Sequence, residues 1–183
     1  MLSIFYQTPK LAEDVISIYT TFSYSVVAFA AGYFIHDTID MIGTPRSRQC
    51  IELIAHHFVL LIALSVPILT YKSVGYLLVG LLVEINSIFL HLRQLLLLHK
   101  FDKTSSTYRL NSILNLGTFI IFRISPLCWM TRWIVINKNL VPFFFYFLSS
   151  LGLAITTVMN IVLFYRCLSS DFIHRKDTSS KLE

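Results

Sequence analysis

Residues 53–71 read LIAHHFVLLIALSVPILTY, 19 positions without an Asp, Glu, Lys or Arg. As a helix this run is about 28 Å long at ~1.5 Å per residue, close to the ~30 Å hydrocarbon core of a bilayer. It lacks the period-2 alternation of a barrel strand and is far too long for one. Only His56 and His57 interrupt its apolar character.

Similar runs lie on either side. Val15 to Ile35 is 21 residues with no charge. Ser73 to Leu98 is apolar apart from Glu84, Asn86, His91, Arg93 and Gln94. Leu110 to Val135 carries Arg123 near its middle, and the 26 residues from Leu140 to Tyr165 are uncharged. The expected fold is therefore all-α and polytopic, one domain over 1–183. Its five transmembrane helices fall at about 15–35, 51–71, 73–98, 110–135 and 140–166. Composition agrees: 55% of residues are apolar, 14% are charged, and mean hydropathy is +0.68. A soluble domain carries roughly 25% charged residues. An ordinary soluble domain, a disordered chain and a disulfide scaffold are thereby excluded. Cys50, Cys128 and Cys167 are odd in number and lack metal-ligand spacing, so they are read as apolar fillers.

The basic residues set the orientation. With five spans, Lys10, Lys72, Arg132 and Lys138 fall on the side of the N-terminus. The opposite side holds Arg46, Arg48, Arg93, Lys100, Lys103, Arg109, Arg166, Arg175, Lys176 and Lys181. The positive-inside rule then places the C-terminus in the cytosol. Tyr71, Tyr76, Trp129, Trp133 and the run Phe143–Tyr146 gather at the other ends, as an aromatic belt does. The net charge of +5 thus reflects topology and attraction to anionic lipid rather than nucleic-acid binding. The N-terminus carries no secretory signal. An outside N-terminus and an odd span count predict a further helix ahead of this sequence.

Ionisable groups within a bilayer are costly and point to function. His36 and Asp40 are four apart on one helix face, with Asp37 beside them; Glu52 and His56 share a face in the same way. Glu84, Ser87, His91 and Gln94 recur at spacings of three, four and three. Arg123 lies three residues before Pro126, which should kink its helix by depriving the Phe122 carbonyl of a partner. Glu84 and Arg123, opposite charges at similar depth, are expected to pair. Ser149, Thr156 and Asn160 align on one face of the last span, where polar residues mostly glue helices together. His56 and His57 are the candidate catalytic residues. One of them should face inward, hydrogen-bonded to an acid of the first span or to Glu52, because an unpaired buried imidazole is costly. The six histidines (His36, His56, His57, His91, His99 and His174) form no metal-binding box. No metal or other cofactor is expected: the G-x-S-x-G elbow, the Walker loop and the dinucleotide fingerprint are all missing.

Four stretches carry a resemblance to a known family. They are Gly32-Tyr33-Phe34-Ile35-His36-Asp37 with Asp40-Met41, then Glu52 to His57, Val83 to Arg93, and Phe122-Arg123 with Pro126-Leu127 and Trp129-Met130. In these the sequence resembles the TLC-domain family, which includes the ceramide synthases, over about Val15 to Arg166. It looks most like the small plasma-membrane members of that family. The resemblance implies a barrel-like bundle of six or more helices around a lipid-sized cavity open to the cytosol. His36, Asp37, Asp40, Glu52, Glu84, His91 and Arg123 would be its polar lining. It implies membrane phospholipids or fatty acyl chains as partners. It also implies a role in phospholipid homeostasis, limiting polyunsaturated chains and setting plasma-membrane fluidity. In the ceramide synthases the paired histidines serve acyl transfer from acyl-CoA, and His56 and His57 stand at the matching positions. The acidic run that precedes that pair is replaced here by Arg48-Gln49-Cys50-Ile51-Glu52. An acyl-CoA-dependent acyltransferase is therefore the alternative rather than the first reading. Arg46, Arg48 and Arg93 are the residues available for a basic CoA entry.

Overall fold

The structure, a computed structural model, describes residues 14–43 and 48–173, with the side chains of 48, 49, 172 and 173 not described. Seven α-helices follow in order: α1 Thr21–Ile42, α2 Arg48–Thr70, α3 Val74–Leu81, α4 Val83–Leu98, α5 Ser106–Phe119, α6 Ser125–Ile136 and α7 Phe143–Leu168. A π-helical segment, Ile120–Ile124, joins α5 to α6, and another, Ser169–Ile173, continues α7. The described residues contain no strand.

Among the described residues, four helical rods are long and apolar enough to cross a membrane: Cys50–Thr70, Val74–Leu98, Ser106–Ile136 and Phe143–Asp171. They match the second to fifth expected spans. The first span is helical too, but it starts at Thr21 rather than Val15. Thr20 caps it: its hydroxyl accepts from the Ser23 amide at 3.0 Å, and Ser23 Oγ accepts from the Thr20 amide at 2.8 Å. Before the cap, Asp14 holds a turn by accepting from the Ile16 and Ser17 amides. The helix then runs on to Ile42, so His36, Asp37 and Asp40 are helical, as their spacing on one face requires. Those groups and the Tyr, Ser and Thr of its first turns leave α1 less apolar than the other four rods.

The expected kink at Pro126 takes another form. The Ser125 amide reaches back five residues to the Ile120 carbonyl, and Ser125 Oγ donates to the same oxygen at 3.1 Å. The backbone widens into a π-turn ahead of the proline instead of breaking, which re-satisfies freed carbonyls without water.

The chain packs as two compact units. The first comprises the described residues up to Gly80 with Trp133–Leu153, the second Leu81–Arg132 with the described residues from Ala154. In the first, α1 lies along α2 and buries Val27, Ala31 and Phe34, spaced at four and three on one face. The Ser73 and Tyr76 amides donate to the Ile16 and Val15 carbonyls at 2.6 and 3.2 Å, docking the segment before α1. Tyr76, expected in an interfacial belt, is instead buried against Trp133 with ring centroids 5.3 Å apart. Tyr71 does stay half exposed, stacked on Tyr24 at 5.1 Å.

In the second unit α4 and α5 form an antiparallel pair. The buried face of α5 carries Tyr108, Asn111, Ser112, Asn115 and Phe119. This is a polar seam, the kind of contact that joins helices where lipid tails compete equally well for apolar side chains. Outward-facing Leu110, Ile113, Ile121 and Ile124 are exposed, as lipid-facing positions are.

Candidate functional site

The histidine pair lies on α2 in the first unit. Neighbouring helical positions differ by about 100°, so the two rings diverge. His57 is buried at 4% exposure, whereas His56 is half buried, with ring centroids 6.0 Å apart. The His57 Nδ1 lies 3.5 Å from Asp37 Oδ2 and 3.4 Å from Thr38 Oγ1, both on α1. The edge of Phe34 packs on the ring at 5.1 Å. The Thr38 hydroxyl donates its own proton to the Phe34 carbonyl at 2.6 Å. Both groups facing Nδ1 are thus acceptors, and a proton on Nδ1 satisfies them. A carboxylate beside one ring nitrogen fixes the orientation of the imidazole. The expectation that an acid of the first span holds one histidine is met by Asp37.

The other sequence candidates divide. His36 and Asp40 pair at 3.3 Å across one helical turn, but both side chains are well exposed. Glu52 is half buried on α2. In the second unit His91 is exposed, on a part of α4 away from the buried seam. Arg46 and His174 lie outside the described residues, as do the C-terminal lysines and Arg175; the Arg48 side chain does too. Among the described residues, no group of three or more His, Cys, Asp or Glu is placed to hold a metal ion.

Arg123 and Glu84 meet within a larger network in the second unit. Arg123 is 6% exposed. Its Nε donates to Asn86 Oδ1 at 2.7 Å, Nη1 to Asn160 Oδ1 at 2.8 Å and Nη2 to Ser87 Oγ at 2.8 Å. Ser87 Oγ donates in turn to Glu84 Oε2 at 2.9 Å, so the hydroxyl links the two charges. The Phe119 ring lies 5.5 Å from the guanidinium carbon. Asn86, fully buried, donates in turn to the Asn115 carbonyl and side chain and to Thr118, each at 3.0 Å.

A second cluster escaped the sequence reading. Arg93 grips Asp171 bidentately at 2.7 and 2.8 Å, and Tyr108 Oη and Ser112 Oγ donate to the same carboxylate at 2.7 and 3.2 Å. Asp171 was overlooked because the apolar run ends at Tyr165. The signal was present: Asn160, Cys167 and Asp171 recur at seven and four, one stripe of buried positions. Beside this cluster is a cavity of about 10 Å³ bordered by Ser112, Asn115, Phe119, Phe164, Cys167 and Asp171, room for about one water.

Comparison with known proteins supplies the relationship. A family model described as the TLC domain matches residues 1–169. TLC domain-containing protein 2 of Danio rerio is 49% identical over 165 residues, 90% of this chain and 67% of that protein. The Homo sapiens protein of the same name is 33% identical over 168 residues, 92% of this chain and 63% of its own length. TLC domain-containing protein 1 of Homo sapiens is 32% identical over 170 residues, 91% and 66% of the two chains. The chain therefore spans 63–67% of the length of these relatives. No solved structure matches it. With a family match over nearly its whole length and helices long and apolar enough to cross a bilayer, the chain belongs to the TLC-domain family of membrane proteins.

Proposed function

We propose that this protein regulates membrane phospholipid composition, limiting polyunsaturated acyl chains in the plasma membrane and so setting its fluidity. Its C-terminus is cytosolic in this reading, and its partners are phospholipids or fatty acyl chains. The observation that carries the proposal is the placement of His57 with Asp37 and Thr38 inside apolar helices. A buried imidazole with an orienting carboxylate is more than helix packing needs, and groups of this kind within a membrane default to function. The relatives named above support the lipid setting through their family.

The test is lipid profiling of cells lacking the protein, rescued by wild type or by His57→Gln. Loss should raise polyunsaturated phospholipid, and wild type should reverse the change. Glutamine keeps a hydrogen-bond donor near Asp37 but is no base, so His57→Gln should be expressed and fail to rescue. An unchanged lipid profile on loss overturns the proposal.

A second reading is favoured by the two acceptors, Asp37 and Thr38, that face Nδ1 of His57. In an acyl-CoA-dependent acyltransferase, Nε2 would take the proton of a lipid hydroxyl as its oxygen bonds to the thioester carbonyl. The C–S bond then breaks and the imidazolium returns the proton to the departing thiolate. Asp37 would stabilise the imidazolium. Purified protein given acyl-CoA and a lysophospholipid should then release thiol, and His57→Gln should not. No thiol release removes this reading and leaves the first.

A further inference from the structure

The turn between α4 and α5 carries cations that neither buried network neutralises. α4 ends in a Schellman motif: the Phe101 amide donates to the Leu96 carbonyl at 3.0 Å and the Lys100 amide to the Leu97 carbonyl at 3.1 Å. Such an ending needs a left-handed residue in the position Lys100 occupies, and glycine is the usual occupant. Lys100 adopts φ 57° there, a strained backbone for a residue with a side chain, and strain of this kind points to use.

Three residues on, Lys103 Nζ donates to the carbonyl and the hydroxyl of Ser170 at 3.3 and 3.1 Å. Both oxygens are neutral. The adjoining carboxylate, Asp171, is engaged by Arg93, Tyr108 and Ser112. Lys103 is thereby held in position without its charge being cancelled there. Arg109, in the first turns of α5, is exposed. The one acid between Lys100 and Arg109 is Asp102, which accepts from the Thr104 amide at 2.9 Å. Flanking this charge are exposed Leu98, Phe101 and Leu110. The turn joins two rods of membrane-crossing length, so it falls at a bilayer boundary.

We infer that the α4–α5 turn binds an anionic phospholipid. Lys103, preset by Ser170, takes the headgroup phosphate together with Lys100 and Arg109, and Leu98, Phe101 and Leu110 lie along the acyl chains. A cation at an anionic surface and an apolar flank beneath it are the two halves of interfacial lipid recognition. The inference needs the membrane placement of the helices and is independent of the histidine reading. The rival role for Lys100 is to complement the negative end of the α4 dipole.

The test uses the full chain in mixed phosphatidylserine–phosphatidylcholine nanodiscs, with retained lipids counted by native mass spectrometry. Wild type should retain phosphatidylserine preferentially, and salt should weaken the preference. Lys100→Gly relieves the backbone strain, so its melting temperature should hold or rise while retention of the anionic lipid falls about fivefold. Lys103→Gln should bring a further loss of about fivefold. Equal retention of the two lipids by wild type overturns the inference. So does a folded Lys100→Gly/Lys103→Gln variant with wild-type preference. A Lys100→Gly protein that melts lower with unchanged lipid preference would assign Lys100 to the helix end alone, and likewise overturns it.

Discussion

His57 and Arg123 are both ionisable, both buried and both set within apolar helices, yet their surroundings differ. Arg123 is engaged on all three of its nitrogens at 2.7–2.8 Å, and its partners are themselves bonded onward to Glu84, Asn115, Thr118 and Thr156. His57 meets its acid and hydroxyl at 3.4–3.5 Å, on one ring nitrogen. A charge that cannot leave the bilayer has to be satisfied in place, and a saturated network does so at the cost of any freedom to react. Those contacts to the carboxylate and the hydroxyl are longer than any of the three that Arg123 makes. Depth in the membrane alone therefore does not distinguish the two groups; the length and chemistry of the contacts each one makes do.

The largest expected effect comes from breaking the saturated side. Arg123→Gln removes the donor shared by Asn86, Asn160 and Ser87 and should destabilise the protein by about 3 kcal/mol. Thermal unfolding in detergent would report it. Glu84→Gln/Arg123→Gln should be milder than the sum of the single changes by more than ~0.5 kcal/mol, because Ser87 couples the two charges. Strict additivity would show that the link through Ser87 carries no energy.

Asp171→Asn is the intermediate case. It keeps the shape but gives up the bidentate ion pair with Arg93, whose side chain is 17% exposed and so retains some solvation. A loss of about 2 kcal/mol is expected in the same unfolding assay. The smallest effect belongs to His57→Gln, at about 1 kcal/mol or less, since hydrogen bonds between membrane helices average well below the charged cases. A loss as large as that for Arg123→Gln would erase the distinction between the two regions and make His57 a framework residue.

Much of this was legible in the residues themselves. The apolar runs announced the second to fifth rods, because a helix with so few charges over that length has few other stable homes than a bilayer. Asp37, next to His36 in the polar last turns of α1 and close in sequence to α2, could be matched to the histidine pair by depth alone. The start of α1 was missed because apolar Val15–Ser17 continues the hydropathy pattern, whereas the Thr20–Ser23 capping box decides where the helix begins. The disturbance at Pro126 was legible as a kink, but the π-turn that takes it up was not. Sequence identifies the missing N–H, and only the packing around it selects how the backbone recovers.

By itself, the sequence determined the membrane class, the helical secondary structure, the polar residues placed at depth and, through its motifs, the family. Those properties depend on composition and local periodicity, which the chain carries at every point. The tertiary structure alone decided which of two adjacent histidines is buried, that Asn86, Asn160 and Ser87 surround Arg123, and that Asp171 closes on Arg93 from 78 residues away. The reason is physical. A polar side chain in hydrocarbon will take any partner of the right chemistry, and only the rotation and register of the helices bring one within 3 Å.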